Sequence, residues 1–288
     1  MTLRQSSPAP GGASSGRGPE PVWPGPQHAG ARRRSPTAGG VVAAVVGVVG
    51  ELLVTAGVLL GLFVVWQLWW TDVEGDRHQQ EIIAGLDWTP PPAPAESAGP
   101  SVATRHEEAP PVDAQPAEAT VFAQLYVPRW GADYVKPVAE GTDKPTVLDT
   151  IGIGHYPDTA MPGDVGNFAT AAHRTTYGKP YNRIAELQPG DPVVVRTETT
   201  WYVYRVTESK IVAPTQVEVV APVPGLRAGD PLPELTERYL TMTSCHPMYS
   251  ARERYIVHGT LDYWAPVSEG TPQELLDAGI TFDAAGVE

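Results

Sequence analysis

Between Val41 and Trp70 the chain carries a single ionisable residue, Glu51. Its uninterrupted part, Leu52 to Trp70, reads LLVTAGVLLGLFVVWQLWW. At about 1.5 Å of rise per residue, a helix of this length crosses a hydrocarbon core of about 30 Å. The run therefore predicts one transmembrane helix over residues 41–70. A cleavable signal peptide is the rival reading, but its apolar region is normally shorter, and no clean small-x-small cleavage site precedes Asp72. Arg32, Arg33 and Arg34 stand just before the run, and Asp72, Glu74 and Asp76 just after it. Arginines favour the cytoplasmic side, so the expected topology has the N-terminus inside and the main domain outside the cell membrane. Trp66, Trp69 and Trp70 then fall at the outer interface, and Glu51 near the inner boundary, within reach of water.

The flanks have a different composition. Residues 1–40 are rich in Pro, Gly, Ser and Arg with no apolar period, too little to bury against anything, and read as a disordered cytoplasmic tail. Residues 71–118 read as a juxtamembrane segment, in which Asp72–Leu86 continues as a short helix, followed by a Pro-rich extracellular spacer. Charge changes sign along the chain. Residues 1–70 hold five arginines against two glutamates, so 15 of the chain's 20 basic and 31 of its 33 acidic residues lie beyond residue 70. A main domain this acidic offers no positive face for phosphates, which excludes a nucleic-acid partner.

Order is expected from residue 119. TVFAQLYVPRW alternates as a strand does, and further strand-like runs follow at Asn167–Ala172, Pro192–Thr197, Trp201–Lys210, Val217–Val220, Tyr239–Ser244 and Tyr255–Trp264. Turn signals such as PGDVGN and QPGD separate them. Short helices are expected at Tyr181–Leu187 and at Pro272–Ala278, the second opened by a Thr271/Glu274 capping box. Many short strands with few helices predict an all-β domain over 119–266, closed or sandwiched, with a C-terminal extension at 267–288.

The chain has one cysteine, Cys245. Exported domains use cysteines mainly in disulfides, and an unpaired thiol outside the cell is a liability unless it is needed. A small buried hydrophobe is the bland alternative. Yet Cys245 ends the strand YLTMTS and precedes His246-Pro247, where a strand gives way to a loop and reactive groups gather. A cysteine nucleophile acts as its thiolate and needs a basic partner. His155, His173, His246 and His258 are the contenders within the domain. His246 is adjacent to the cysteine and points to the opposite face; spacing does not choose among the rest.

Three segments together resemble the sortase family. TMTSC, Thr241 to Cys245, is similar to the sortase signature TLxTC; AAHRT around His173 resembles the segment carrying the family's catalytic histidine; and Arg254, nine residues after Cys245 in RERYIVHG, matches the third catalytic position. The resemblance covers residues 119–266, and the flanking text is similar to class E, the housekeeping type. Ala172 replaces the Gly that many members have before the histidine, and Met242 and Ser244 replace Leu and Thr. None of these changes removes a catalytic group.

The resemblance implies a closed sortase-like β-barrel with a few short helices, preceded by a single N-terminal transmembrane helix. It also implies a reaction. Cys245 attacks a Leu-Ala-x-Thr-Gly-like sorting signal between Thr and Gly, a thioester forms, and a cell-wall amine takes the acyl group. His173 protonates the leaving amine and then deprotonates the incoming one, while Arg254 faces the oxyanion or the substrate backbone. Thr243 and Ser244 border the nucleophile and are read as substrate-binding. The implied partners are secreted proteins bearing the signal and a peptidoglycan precursor amine. No cofactor and no metal site are expected. The alternatives are a cysteine endopeptidase using water, a pilin-polymerising sortase, and, from another class, a membrane-tethered binding module without turnover.

Overall fold

Alternation along PVVVR and TWYVYRV decides how these strands pack. Val193 and Val195 share one buried cluster with Tyr202 and Tyr204, while Val194, Trp201 and Val203 belong to another. Strands buried on both faces form the wall of a barrel whose outside is itself covered. In the computed structural model, which describes residues 37–92 and 101–282, the strands close such a barrel. They are β1 (Val121–Tyr126), β2 (Val135–Glu140), β3 (Ile153–His155), β4 (Gly166–Ala172), β5 (Pro192–Arg196), β6 (Thr200–Val212), β7 (Arg238–His246) and β8 (Glu253–Pro266). Their order round the wall is β1-β2-β3-β4-β7-β8-β6-β5. The β2/β3 and β4/β7 pairs are parallel and the other neighbours antiparallel.

Leu125, Val138, Ile153, Phe168, Leu240, Met242 and Val257 fill the interior with the two tyrosines of β6. On the outside, Trp201, Val203, Tyr263 and Ala265 are covered by Ala103 and by Leu275 and Ile280, which flank or belong to the short helix α2 (Gln273–Asp277). Residues 101–118 of the expected spacer therefore lie along the barrel. His106 exchanges backbone hydrogen bonds with Trp264 at 2.9 and 3.0 Å, and Tyr202 Oη donates to the Pro111 carbonyl at 2.7 Å. An apolar outer wall needs a cover, and extended chain with unpaired carbonyls supplies one.

Helix α1 (Ala38–Ala84) runs through the expected span and fourteen residues past Trp70. It is long and apolar enough to cross a membrane. The chain divides into two units at Gly57/Val58. The described part of the first is helix with exposed side chains; the second holds the rest of α1 and the barrel. Beyond the span, Glu74–Arg77 and Asp76–Gln80 contacts at 2.6 and 3.1 Å support the charged turns, and Gly85 and the prolines from Pro90 end them. Of the expected cytoplasmic tail, residues 1–36 lie outside the described residues, as do 283–288 of the C-terminal extension.

Three local expectations are corrected. Val217–Val220 is a 3-10 turn, since Val219 packs on Val212 and Ile256 while Asn167 Nδ2 donates to the carbonyls of Val219 and Ala221. The Thr271/Glu274 capping box does not form: Pro272 stands at the N-cap, and Glu274 instead accepts from Tyr263 Oη and Arg205. The helix expected at Tyr181–Leu187 is reduced to a 3-10 turn at Ile184–Glu186.

Candidate active site

The parallel pairing of β4 with β7 sets the site. Ala169 is level with Thr241 and Ala171 with Thr243, so continuing the ladder brings His173, just past the end of β4, beside Cys245 near the end of β7. On the other side β8 runs antiparallel to β7, and Arg254 is level with Cys245. Three residues distant in sequence thus lie at one barrel edge. Arg252 precedes β8 and is exposed, whereas Arg254 lies within the strand.

Cys245 is a free thiol, half-buried. Its carbonyl accepts from Arg174 Nη1 at 3.2 Å, and the same nitrogen donates to His246 Nδ1 at 2.8 Å. Arg174 is only 7 % exposed, with its guanidinium 5.4 Å over the Tyr255 ring. Arg174, the residue after His173, thus grips the backbone of Cys245.

His173 places Nε2 2.6 Å from Asp149 Oδ1 and its ring 5.1 Å from that of Tyr177. An ionised carboxylate only accepts, so Nε2 carries the proton and Nδ1 is left for chemistry. Asp149 was not singled out in the sequence. It follows a π-helical turn, Lys144–Leu148, whose start is capped by Asp143 on Thr146, and only the β3/β4 pairing brings it to the histidine. No spacing rule signals such a partner 24 residues away.

The other contenders have different duties. His155 is fully buried, with Nδ1 2.6 Å from Glu140. His258 lies level with Thr241, well down β7 from Cys245, and bonds its hydroxyl at 2.8 Å; burial pushes its pKa down to about 4, with help from Lys210 and against Glu208. His246 is held by Arg174.

The Arg254 guanidinium donates to the carbonyls of Ala251 and Glu253 at 2.9 and 3.0 Å. Thr243 and Ser244 are buried: Thr243 Oγ1 donates to the Thr170 carbonyl at 3.0 Å and meets Tyr156 Oη at 3.1 Å, and Ser244 Oγ donates to the Ala172 carbonyl at 2.9 Å. Both hydroxyls tie β7 to β4. Ala172 sits within β4 and is not among the positive-φ residues, so its methyl brings no backbone strain. Large apolar side chains stand exposed on the loops after the two residues: Met248 and Tyr249 after Cys245, Tyr177 after His173. Among the described residues no cluster of His, Cys, Asp and Glu is arranged to hold a metal ion.

Comparison with known proteins matches this geometry. The model of the sortase domain matches residues 125–262. Sortase SrtE1 of Streptomyces coelicolor is 35% identical over 254 residues, covering 85% of this chain, which itself spans 64% of that relative's length. Sortase SrtE2 of the same organism is 35% identical over 241 residues, 80% of this chain and 86% of that protein. Among solved structures, the SrtA sortase from Actinomyces oris superposes with a TM-score of 0.55 at 42% identity, over 62% of this chain and 100% of that one. Its barrel, its thiol at the end of β7 and these likenesses agree: the chain belongs to the sortase family, on the class E branch.

Proposed function

We propose that this chain is a single-pass cysteine transpeptidase that cleaves a Leu-Ala-x-Thr-Gly-like sorting signal between Thr and Gly and passes the acyl group to a cell-wall amine. The observation that carries this reading is the strand register that gathers Cys245, His173 and Arg254 at one edge. The thiolate of Cys245 attacks the threonine carbonyl carbon; a C–S bond forms and the π electrons move to oxygen. Arg254 leaves the turn carbonyls it now bonds and faces that oxyanion, an interaction realised only in the transition state. Collapse breaks the C–N bond, and His173, which has taken the Cys245 thiol proton on Nδ1, gives that proton to the departing glycine amine. An acceptor amine then attacks the thioester, loses a proton to His173 and releases the thiolate. Water in the amine's place gives hydrolysis, a slower side reaction.

Exposed Tyr177, Met248 and Tyr249 offer an apolar rim to an extended peptide. Thr243 and Ser244 act on substrate through β7: by fixing it to β4 they set the height of Cys245 against His173. The apolar part of α1 anchors the enzyme in the cell membrane, and the arginines before it and acids after it support a cytoplasmic N-terminus and an extracellular barrel. The test is to incubate the full chain in detergent with a Leu-Ala-x-Thr-Gly peptide and a glycine-based amine, following products by mass spectrometry. Wild type should yield a new amide and Cys245→Ala none. Cleavage without ligation would favour the endopeptidase. No reaction, with Leu-Pro-x-Thr-Gly also offered, would refute the proposal.

A further inference from the structure

The last turns of α1 do not stand free of the barrel. Asp72, Gly75, Asp76, Gln79 and Ile82 recur at helical spacing and share one face, while Glu74, Arg77, His78 and Glu81 point to solvent. Every member of the first set touches the second unit's loops or strands. Lys179 Nζ donates to Asp72 at 2.8 Å, and Asp76 pairs with Lys136, a lysine whose side chain is 8% exposed. Gln79 is 2% exposed, and its Nε2 donates to the Tyr177 carbonyl at 3.0 Å. Ile82 packs on Leu148 and Ile151 with their neighbours.

Glycines make this approach. Gly152 and Gly178, both at positive φ, form the notch for Gln79: a Cβ on either would lie 3.0 or 2.8 Å from its amide. On the helix side a Cβ at Gly75 would lie 2.6 Å from the backbone of Tyr177 and Gly178. Close backbone contact of this kind tolerates no side chain.

The two loops that grip the helix are those that serve the histidine. Residues 149–152 begin with Asp149, which bonds His173 Nε2, and residues 176–179 include Tyr177, whose ring lies against the imidazole. We infer that the juxtamembrane turns 72–82 are a positioning element of the active site: docked, they clamp the Asp149 and Tyr177 loops together and so hold His173 in its working orientation. Gln79 and Gly75 are positioning residues that act through those loops. The anchor is thereby coupled to catalysis as well as to the membrane. This inference rests on the sortase reading for the role of His173.

The experiment uses the full chain in detergent. Gly75→Ala and Gly75→Leu favour helix over the wild-type glycine, so they block docking without melting α1. Gly61→Ala, where nothing lies within 4 Å, is the control for altering a helical glycine. Misplacement of a catalytic group by about 1 Å costs up to about 100-fold in rate. Gly75→Leu should thus lower kcat roughly 10- to 100-fold with KM within about twofold, and Gly61→Ala should match wild type. Combined with Asp149→Ala, the Gly75→Leu effect should largely vanish, because both act through one contact. Full additivity, or an unchanged kcat in Gly75→Leu, would overturn the inference. Amide exchange gives a readout independent of turnover: Gly75→Leu should accelerate exchange in 149–152 and 176–179 but not in β5 or β6. Unchanged exchange there would also overturn it. A wild-type chain that turns over no sorting peptide would refute the sortase reading alone, leaving the docking to be judged by exchange.

Discussion

Asp149→Ala tests whether the carboxylate beside His173 is part of the machine. The two side chains are 27% and 17% exposed and their contact is 2.6 Å, so solvent screens it little. A hydrogen bond to a charged group contributes about 1.5–3 kcal/mol. If that bond holds the imidazole in its reactive tautomer and rotamer, its loss falls on the transition state and lowers kcat/KM by about 10- to 150-fold. Asp149→Asn separates geometry from charge. Its amide oxygen accepts the same proton, so it should retain an intermediate rate, roughly 3- to 10-fold below wild type. Both variants would be followed on a fluorogenic sorting peptide, with aminolysis of the thioester measured separately. Asp149→Ala within about twofold of wild type in both steps would refute the reasoning, and the carboxylate would be a bystander on an exposed loop.

Arg254→Ala should abolish turnover, by about 100- to 1,000-fold on the precedent of removing an oxyanion donor, whereas Arg252→Ala should not; near-wild-type activity in Arg254→Ala would sink that assignment. Thr243→Val strands the Thr170 carbonyl and should cost about 1–3 kcal/mol in denaturant unfolding, with KM little changed; a large rise in KM without loss of stability would instead mark a direct substrate contact. His258 carries a pH signature. Its folded pKa of about 4 lies below the ordinary 6.5, so the unfolded chain binds the proton first as pH falls. Stability is therefore full above about pH 6.5 and declines toward pH 4, by about 3 kcal/mol when fully developed, and His258→Gln should flatten that limb of the pH–stability curve.

Strands were legible where side-chain alternation was clean and both faces were buried, as in PVVVR and RYLTMTSCH. β2 and β3 were not anticipated. VKPVAE carries a proline and two charges, and β3 is three residues long with Gly154 at its centre, where a Cβ would lie 2.3 Å from the Gly141 carbonyl. Such strands exist because their neighbours pair with them, which no local pattern records. Val217–Val220 shows the converse, a β-branched run too short to decide its own state, settled by the Asn167 side chain. At the candidate site, the strand-end positions of Cys245 and His173 were readable. Partners brought by tertiary pairing, Asp149 and the backbone grip of Arg174, were not.

The parallel β4/β7 pair explains why the site lies where it does. Both strands have their C-terminal ends at the same edge, so a histidine just past one and a cysteine near the other meet without any loop having to travel. Were the pair antiparallel, the end of β4 would face the start of β7 near Arg238, and seven residues of strand at about 3.3 Å each would separate the two groups by more than 20 Å. The third group follows from the turn. After Cys245 the chain reverses and enters β8 antiparallel, which returns Arg254 to the level of the thiol. Hydroxyls at Thr243 and Ser244, bonded to β4 carbonyls, then fix the height of one strand against the other. On the proposed function, the register of β7 against β4 is therefore the quantity that catalysis depends on. A slip of one residue would turn Cys245 to the opposite face of the wall, away from His173 and Arg254, with no catalytic residue changed.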